Sequence, residues 1–132
     1  MTNADLYLRV TALPLLQGIS AEDILHMQER GAMRIVSMEP EEGDIIQHGQ
    51  HCRTLTMLME GTLACTTKGE DWTLVEEIHA PAIIEEEALW SLSQTYNHTY
   101  CPTSEGRLLV IDRRHVMQTM LHNEVFRINL LT

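Results

Sequence analysis

The hydrophobic and polar positions follow helical spacing near the two ends of the chain and strand-like spacing between them. Near the start, Ile24 and Met27 share one helical face, with Ser20 before them and Gly31 after them. Serine is a favoured N-cap and glycine ends many helices. The pattern therefore predicts a helix over residues 21–30.

The middle of the chain has short runs of β-forming residues separated by Gly, Pro, Asp and Glu. No helical stretch that could connect parallel strands lies between these runs, so we expect an antiparallel arrangement. The pattern predicts a mainly β fold, either a sandwich or a jelly-roll barrel, with flanking N-terminal and C-terminal helices. The expected strands are 33–37, 44–47, 54–59, 62–67, 72–78, 82–84, 96–101 and 107–111.

Helical spacing returns after Ile111. Asp112 is a candidate cap, and the sequence His122-Asn123 is expected to break the helix that it starts. The apolar stripe of this helix consists of Val116, Met117, Met120 and Leu121.

The last segment, residues 124–132, is apolar on more than one helical face. Its apolar residues are Val125, Phe126, Ile128, Leu130 and Leu131. Such a segment is either buried on two sides or meets a second subunit, and we expect a homodimer interface here. Because it ends without a C-cap, we expect the native chain to continue. We therefore divide the chain into a helix plus β domain, 1–111, and C-terminal helices, 112–132, which form the start of a dimerisation helix.

The composition narrows the class of protein. The chain has 132 residues, 44% of them hydrophobic, which suits one compact domain. Its 19 acidic and 9 basic residues give a formal net charge of −10. DNA and anionic lipid both require a clustered positive surface, so the chain as given is expected to bind neither nucleic acid nor a membrane.

The cysteine pattern and the lengths of the apolar runs suggest a cellular compartment. The three cysteines have no CxxC spacing, which favours a reducing environment. No apolar run reaches the roughly 18 residues of a membrane helix. We expect a cytoplasmic protein.

Five short motifs follow one another along the chain. They are LPLLQGIS at 13–20, EGDIIQHG at 42–49, LTMLMEG at 55–61, LLVIDR at 108–113 and VFRINLL at 125–131. In this order they resemble the sensor domain of the catabolite-activator (Crp/Fnr) family of bacterial transcription regulators. The last motif is similar to a variant common among divergent Bacteroidetes members.

The resemblance implies a cyclic-nucleotide-binding-like jelly roll, a double-stranded β-helix that is also cupin-like in architecture. It implies a non-enzymatic, ligand-sensing and dimerising half of a transcription regulator. The partners would be a second copy of the chain and an unknown small-molecule effector. DNA would be bound only through a C-terminal winged helix-turn-helix domain, which is absent from this chain.

The resemblance also implies a ligand site. Cyclic-nucleotide binders of the family carry an FGE-x-AL motif at a short helix whose N–H groups hold the cyclic phosphate, with an arginine nearby. The matching stretch here is IEEEAL at 84–89. Glu86 fits the motif, but Glu85 replaces its glycine and Glu87 adds an acid. The arginine position falls within residues 96–98, and none of these is arginine.

These departures argue against a cyclic nucleotide. At an effective dielectric of about 20, one like charge about 4 Å away costs on the order of 4 kcal/mol. We therefore expect no cofactor and no standard binding of cyclic AMP. The simpler interpretation of residues 85–87 is a solvated acidic turn before a short helix. If the pocket accepts another ligand, its predicted lining is Ile84, Glu86, Ala88, Leu89, His98 and Thr99.

Other sites are weaker on sequence grounds. His48, His51 and Cys52 offer metal-binding atoms, and a jelly roll can house a cupin-like metal enzyme. The two histidines lack the His-x-His spacing of cupin sites, so we expect no metal. No serine or cysteine lies in a recognisable catalytic motif, so we expect no catalytic residues. A third alternative is a dimerisation module whose pocket has decayed.

Overall fold

The computed structural model describes residues 13–131. Within this range the α-helices are α1 (Ala21–Glu29), α2 (Arg113–His122) and α3 (Glu124–Leu131). The strands are β1 (Met33–Met38), β2 (Thr54–Glu60), β3 (Thr62–Lys68), β4 (Thr73–His79), β5 (Ala82–Ile84), β6 (Thr99–Pro102) and β7 (Gly106–Asp112). Short 3-10 turns lie at Pro14–Leu16, Pro40–Glu42 and Glu86–Leu89. None of the described helices is long and apolar enough to cross a membrane.

The strands form two sheets. One has the order β1-β7-β2-β5 and the other the order β4-β3-β6. β3 is paired antiparallel on both sides, from Thr62↔His79 to Lys68↔Thr73 with β4 and from Leu63↔Pro102 to Thr66↔Thr99 with β6. The prediction of a mainly β, antiparallel jelly roll with flanking helices is confirmed.

Two predicted strands differ in the structure. The expected strand 44–47 is reduced to one bridge, Ile46↔Tyr100. Its ladder cannot extend because the N–H groups of Ile45 and Ile46 donate to the same carbonyl, that of Tyr100. The expected strand 96–101 begins only at Thr99, because the N–H of Asn97 donates to a side chain.

The hairpin between β2 and β3 depends on a glycine. Gly61 has a φ of 95°, in the left-handed region that favours glycine. A Cβ at this position would lie 2.7 Å from the carbonyl oxygen of Glu105. A larger residue would therefore force the 104–106 turn away from the hairpin.

The chain packs as two compact units. In the described residues, one unit comprises 13–34 and 111–131, and we call it the helical unit; the other comprises 35–110, and we call it the strand unit. The core of the strand unit includes Leu55, Leu58, Leu63 and Leu89, each 1% exposed or less. The predicted first helix therefore groups with the C-terminal helices.

Side-chain hydrogen bonds fix the helix ends of the helical unit. The Ser20 Oγ accepts the N–H of Asp23 at 3.2 Å, as expected for the N-cap of α1. Asp112 occupies the N-cap position of α2, but its carboxylate accepts from Arg34 at 3.3 Å and makes no cap hydrogen bond. Asn123 ends α2, and its Oδ1 accepts the N–H of Phe126 at 3.0 Å at the start of α3.

The two apolar faces of α3 have different surroundings. Phe126 is fully buried and Leu130 is 3% exposed, both within the helical unit. Val125, Ile128 and Leu131 are 42%, 52% and 64% exposed. The exposed part of the expected dimer interface therefore consists of these last three residues.

We predict that Phe126→Ala lowers the free energy of unfolding by about 3–5 kcal/mol, because it removes a fully buried aromatic side chain. Leu121→Ala is the matched control, since Leu121 is 77% exposed on the neighbouring helix. Its effect should stay within about 0.5 kcal/mol. Equal losses in urea unfolding would contradict the packing of α3.

Candidate functional site

The site expected from sequence is centred on a glutamate in a strained backbone conformation. Glu85 follows β5 and has φ 43° and ψ 56°, a left-handed conformation. For a residue with a Cβ this conformation costs about 1–2 kcal/mol. The residue is also 7% exposed, although it carries a carboxylate. A strained and buried acid must have partners that hold it in place.

The partners of Glu85 come from the segment 94–100. Its Oε1 accepts the hydroxyl of Tyr100 at 2.9 Å, and its Oε2 accepts the N–H of Asn97 at 2.7 Å. Both carboxylate oxygens are thus hydrogen-bonded inside the strand unit. Hydrogen bonds to a charged acceptor are about twice as strong as neutral ones.

The surroundings of Glu85 keep the neighbouring groups protonated. Burial raises the pKa of Tyr100 far above its ordinary value, and its hydrogen bond to Glu85 raises it further. Tyr100 therefore stays a neutral hydroxyl that donates to the carboxylate. Burial also raises the pKa of the Cys65 thiol, with a smaller contribution from the charges of Glu76 and Glu85. The thiolate that a nucleophile or metal ligand requires is disfavoured.

The structure places the predicted lining residues in three kinds of environment. Ile84, Ala88 and Leu89 are 2% exposed or less and belong to the core. Glu86 is half-buried in the 3-10 turn. His98 and Thr99 bond to their neighbours instead: His98 Nδ1 lies 2.8 Å from Thr67 Oγ1, and Thr99 Oγ1 accepts the N–H of His48 at 3.1 Å. The ligand set itself stays a prediction.

Sequence reasoning missed the residue that organises this site. It grouped Glu85 with Glu86 and Glu87 as acids of a turn, and Glu87 is indeed exposed. The available signal was that Glu85 stands where the family motif has glycine, the residue that most readily adopts the left-handed conformation found here. Tyr100 gave no motif signal, since it lies among ordinary strand residues.

The expected metal candidates are dispersed. Cys52 is 1% exposed, whereas His48 and His51 are exposed. The Cys52 thiol donates to the carbonyl of Thr54 at 3.4 Å. Across residues 13–131 there is no group of three or more His, Cys, Asp or Glu side chains that could hold a metal ion.

A cavity of about 660 Å³ lies elsewhere in the strand unit. Its walls come from β1, β2 and β7, from loop residues between 42 and 53, and from Tyr96. None of the six predicted lining residues contributes to it. The cavity and the Glu85 site therefore share no lining residue, although Tyr96 is adjacent to Asn97 in the chain.

Comparisons with known proteins identify the fold. No family model matches the chain, and no curated protein matches it in sequence. DNR from Pseudomonas aeruginosa superposes with a TM-score of 0.80 at 11% identity, over 99% of this chain and 57% of DNR. The isolated sensor domain of DNR superposes with a TM-score of 0.74 at 14% identity, over 95% of this chain and 87% of that domain. The catabolite activator protein of Thermus thermophilus superposes with a TM-score of 0.70 at 14% identity, over 89% of this chain and 55% of the Thermus protein.

This chain has the fold of the DNR sensor domain and of the matching part of the Thermus catabolite activator protein. The sequence resemblance to that fold is confirmed, while the Bacteroidetes type stays a prediction. The chain spans little more than half the length of full DNR and of the Thermus protein, and most of the isolated DNR sensor domain.

We predict that Glu85→Gln lowers the free energy of unfolding by about 1–3 kcal/mol. A glutamine amide offers one acceptor oxygen, so one of the two buried donors loses its partner. Glu87→Gln is the matched control in the same turn, and because Glu87 is exposed its effect should stay within about 0.5 kcal/mol. Urea unfolding of the three proteins measures the difference, and an unchanged midpoint for Glu85→Gln would contradict the assigned hydrogen bonds.

Proposed function

We propose that the chain is the ligand-sensing and dimerising half of a cytoplasmic Crp/Fnr-type transcription regulator. It acts without catalysis and does not bind cyclic AMP in the family's usual way. The fold supports the first part of this proposal. Because the net charge of this chain is −10, the proposal assigns DNA binding to a separate C-terminal domain.

The observation that carries the second part is the hydrogen-bonded carboxylate of Glu85. In the family resemblance, this turn is where backbone N–H groups hold a cyclic phosphate. Here the turn begins with a buried acid that takes a backbone N–H and a tyrosine hydroxyl for itself. A second anion at the turn would meet this charge in a poorly screened environment, without an arginine to offset it.

The mechanism of the proposed sensor is a shift between two populations. A ligand in the strand unit, or a change around residues 84–89, would favour one arrangement of residues 112–131 over another. A ligand can shift this equilibrium only by its difference in affinity for the two arrangements. Helices α2 and α3 would pass the change to the DNA-binding domains of a dimer.

We predict that millimolar cyclic AMP leaves the melting temperature of the chain unchanged. Bound ligand stabilises the folded state in proportion to the logarithm of its excess over the dissociation constant, so micromolar binding would give a clear rise. Glu85→Gly should also fail to bind tightly, because it removes the acid without supplying an arginine. A cyclic-AMP-binding domain in the same assay is the positive control, and calorimetric binding by the wild-type chain would contradict the proposal.

The DNA-binding half of the proposal is tested by the coding sequence that follows Thr132 in its gene. A basic helix-turn-helix in that sequence supports the regulator class. A sequence that encodes an enzyme domain there would contradict it.

We propose that dimerisation uses the exposed apolar residues Val125, Ile128 and Leu131 of α3. A glutamate introduced among them would have to be buried unpaired in the dimer. We therefore expect wild type to sediment as a dimer at tens of micromolar and Ile128→Glu as a monomer with unchanged circular dichroism. Gln118→Glu, at an exposed polar position of α2, is the control and should remain dimeric. A monomeric wild type would contradict the proposed interface.

A further inference from the structure

We propose that the 660 Å³ cavity of the strand unit is a binding site for an apolar ligand with a cationic head group, such as an alkylammonium. Binding at the cavity follows from its lining. Only its role as the effector site rests on the proposed regulator function.

The cavity has an apolar floor. Met38, Ile46, Leu108 and Val110 line it and are 1%, 6%, 7% and 8% exposed. Small-molecule sites typically have volumes of about 300–1,000 Å³ and mostly apolar walls. The cavity is open to solvent at exposed lining residues such as Val36 and Gln50, so a ligand can enter it without unfolding the chain.

A few polar groups converge on this floor. Thr56 is 4% exposed, and its Oγ1 lies 3.2 Å from that of Thr54, which also lines the cavity. The Tyr96 hydroxyl donates to the carbonyl of Thr54 at 3.5 Å. These groups lie together on one wall, where they can orient the polar end of a bound molecule.

The charges among the lining residues favour a cation. Glu42 and Asp44 provide two carboxylates, Arg53 provides one permanent positive charge, and His51 adds an imidazole. The Glu42 carboxylate already accepts the N–H of Glu39, whereas Asp44 and Arg53 form no hydrogen bond or ion pair with any described residue. With a net charge of −10 on the whole chain, the surrounding potential attracts cations and repels anions.

The wall that faces the strands is preformed. Three backbone hydrogen bonds hold it. The N–H of Gly49 donates to the carbonyl of Tyr96 at 2.8 Å, and the N–H of Tyr96 donates to the carbonyl of Gln50 at 2.9 Å. The N–H of Cys52 donates to the carbonyl of Gln94 at 2.7 Å. These bonds hold the loop against the 94–100 segment. Since the same segment supplies the partners of Glu85, a molecule that presses on Tyr96 also acts on the Asn97 peptide next to it.

The test titrates the full chain with octylammonium, octanol and octanoate below their micelle concentrations, by calorimetry and by amide chemical-shift mapping. We expect octylammonium to bind most tightly and octanoate at least tenfold more weakly. Shifts should concentrate at residues 42–56, 96, 108 and 110. Replacing octylammonium by hexylammonium, which has a shorter alkyl tail, should weaken binding by about fourfold for each methylene removed.

Two pairs of variants separate this site from unspecific adsorption. Val36→Trp places a large side chain at the cavity wall, at a residue that is 39% exposed, and should abolish binding. Val75→Trp, at a 60% exposed valine of β4 outside the cavity, should leave it unchanged. Asp44→Asn should weaken the binding of octylammonium but not that of octanol, whereas Asp71→Asn should leave the binding of both unchanged.

Equal affinity for the three head groups, or shifts centred on residues 84–89, would overturn the proposal. If Val36→Trp does not fold, the Asp44 pair and the shift map still decide it. Binding at the cavity in a protein whose gene lacks a DNA-binding domain would support the site and contradict only its role as an effector site.

Discussion

A buried carboxylate needs hydrogen-bond donors, and the arrangement of the strand unit depends on how Glu85 obtains them. Its two donors come from residues 12 and 15 positions later in the chain, so one acid ties the end of β5 to the start of β6. The Asn97 N–H is consequently withdrawn from strand pairing, which is why β6 begins only at Thr99. The same bond offsets the left-handed backbone of Glu85, since a strained conformation persists only where its surroundings hold it.

The 94–100 segment consequently has two different neighbours. Its backbone at Gln94 and Tyr96 bonds to the 49–52 loop at the cavity, while Asn97 and Tyr100 bond to Glu85. Tyr96 and Asn97 share one peptide bond, so the backbone of one constrains the backbone of the other. Tyr96 lines the cavity and Asn97 holds the acid, so any displacement of one alters the geometry of the other. A ligand at the proposed cavity site would therefore act on Glu85, which precedes the turn Glu86–Leu89, within one compact unit.

The sequence pattern predicts most elements of this fold because local signals determine them. The strand β2 is expected over 54–59 and observed as Thr54–Glu60. Ser20 is expected to cap the first helix, and its Oγ accepts the N–H of Asp23. The expected strand 44–47 is wrong because pairing there depends on a carbonyl more than 50 positions away, at Tyr100. Burial of Glu85 is missed for the same reason: an acid beside two other acids looks solvated until the donors that surround it are known. The cavity has no sequence signature, since its floor is made of ordinary core residues from separate strands.

Electrostatics connects the two sites of the strand unit. Burial raises the pKa of the Cys65 thiol, and the charges of Glu76 and Glu85 raise it further. The cavity likewise has two carboxylates, those of Glu42 and Asp44, against one permanent positive charge, that of Arg53. In the proposed function this excess of acids opposes a cyclic phosphate near Glu85, and in the proposed cavity site it attracts a cation. Both proposals therefore depend on the same net charge of −10, and a rise in salt concentration, which screens exposed charges, acts on both of them.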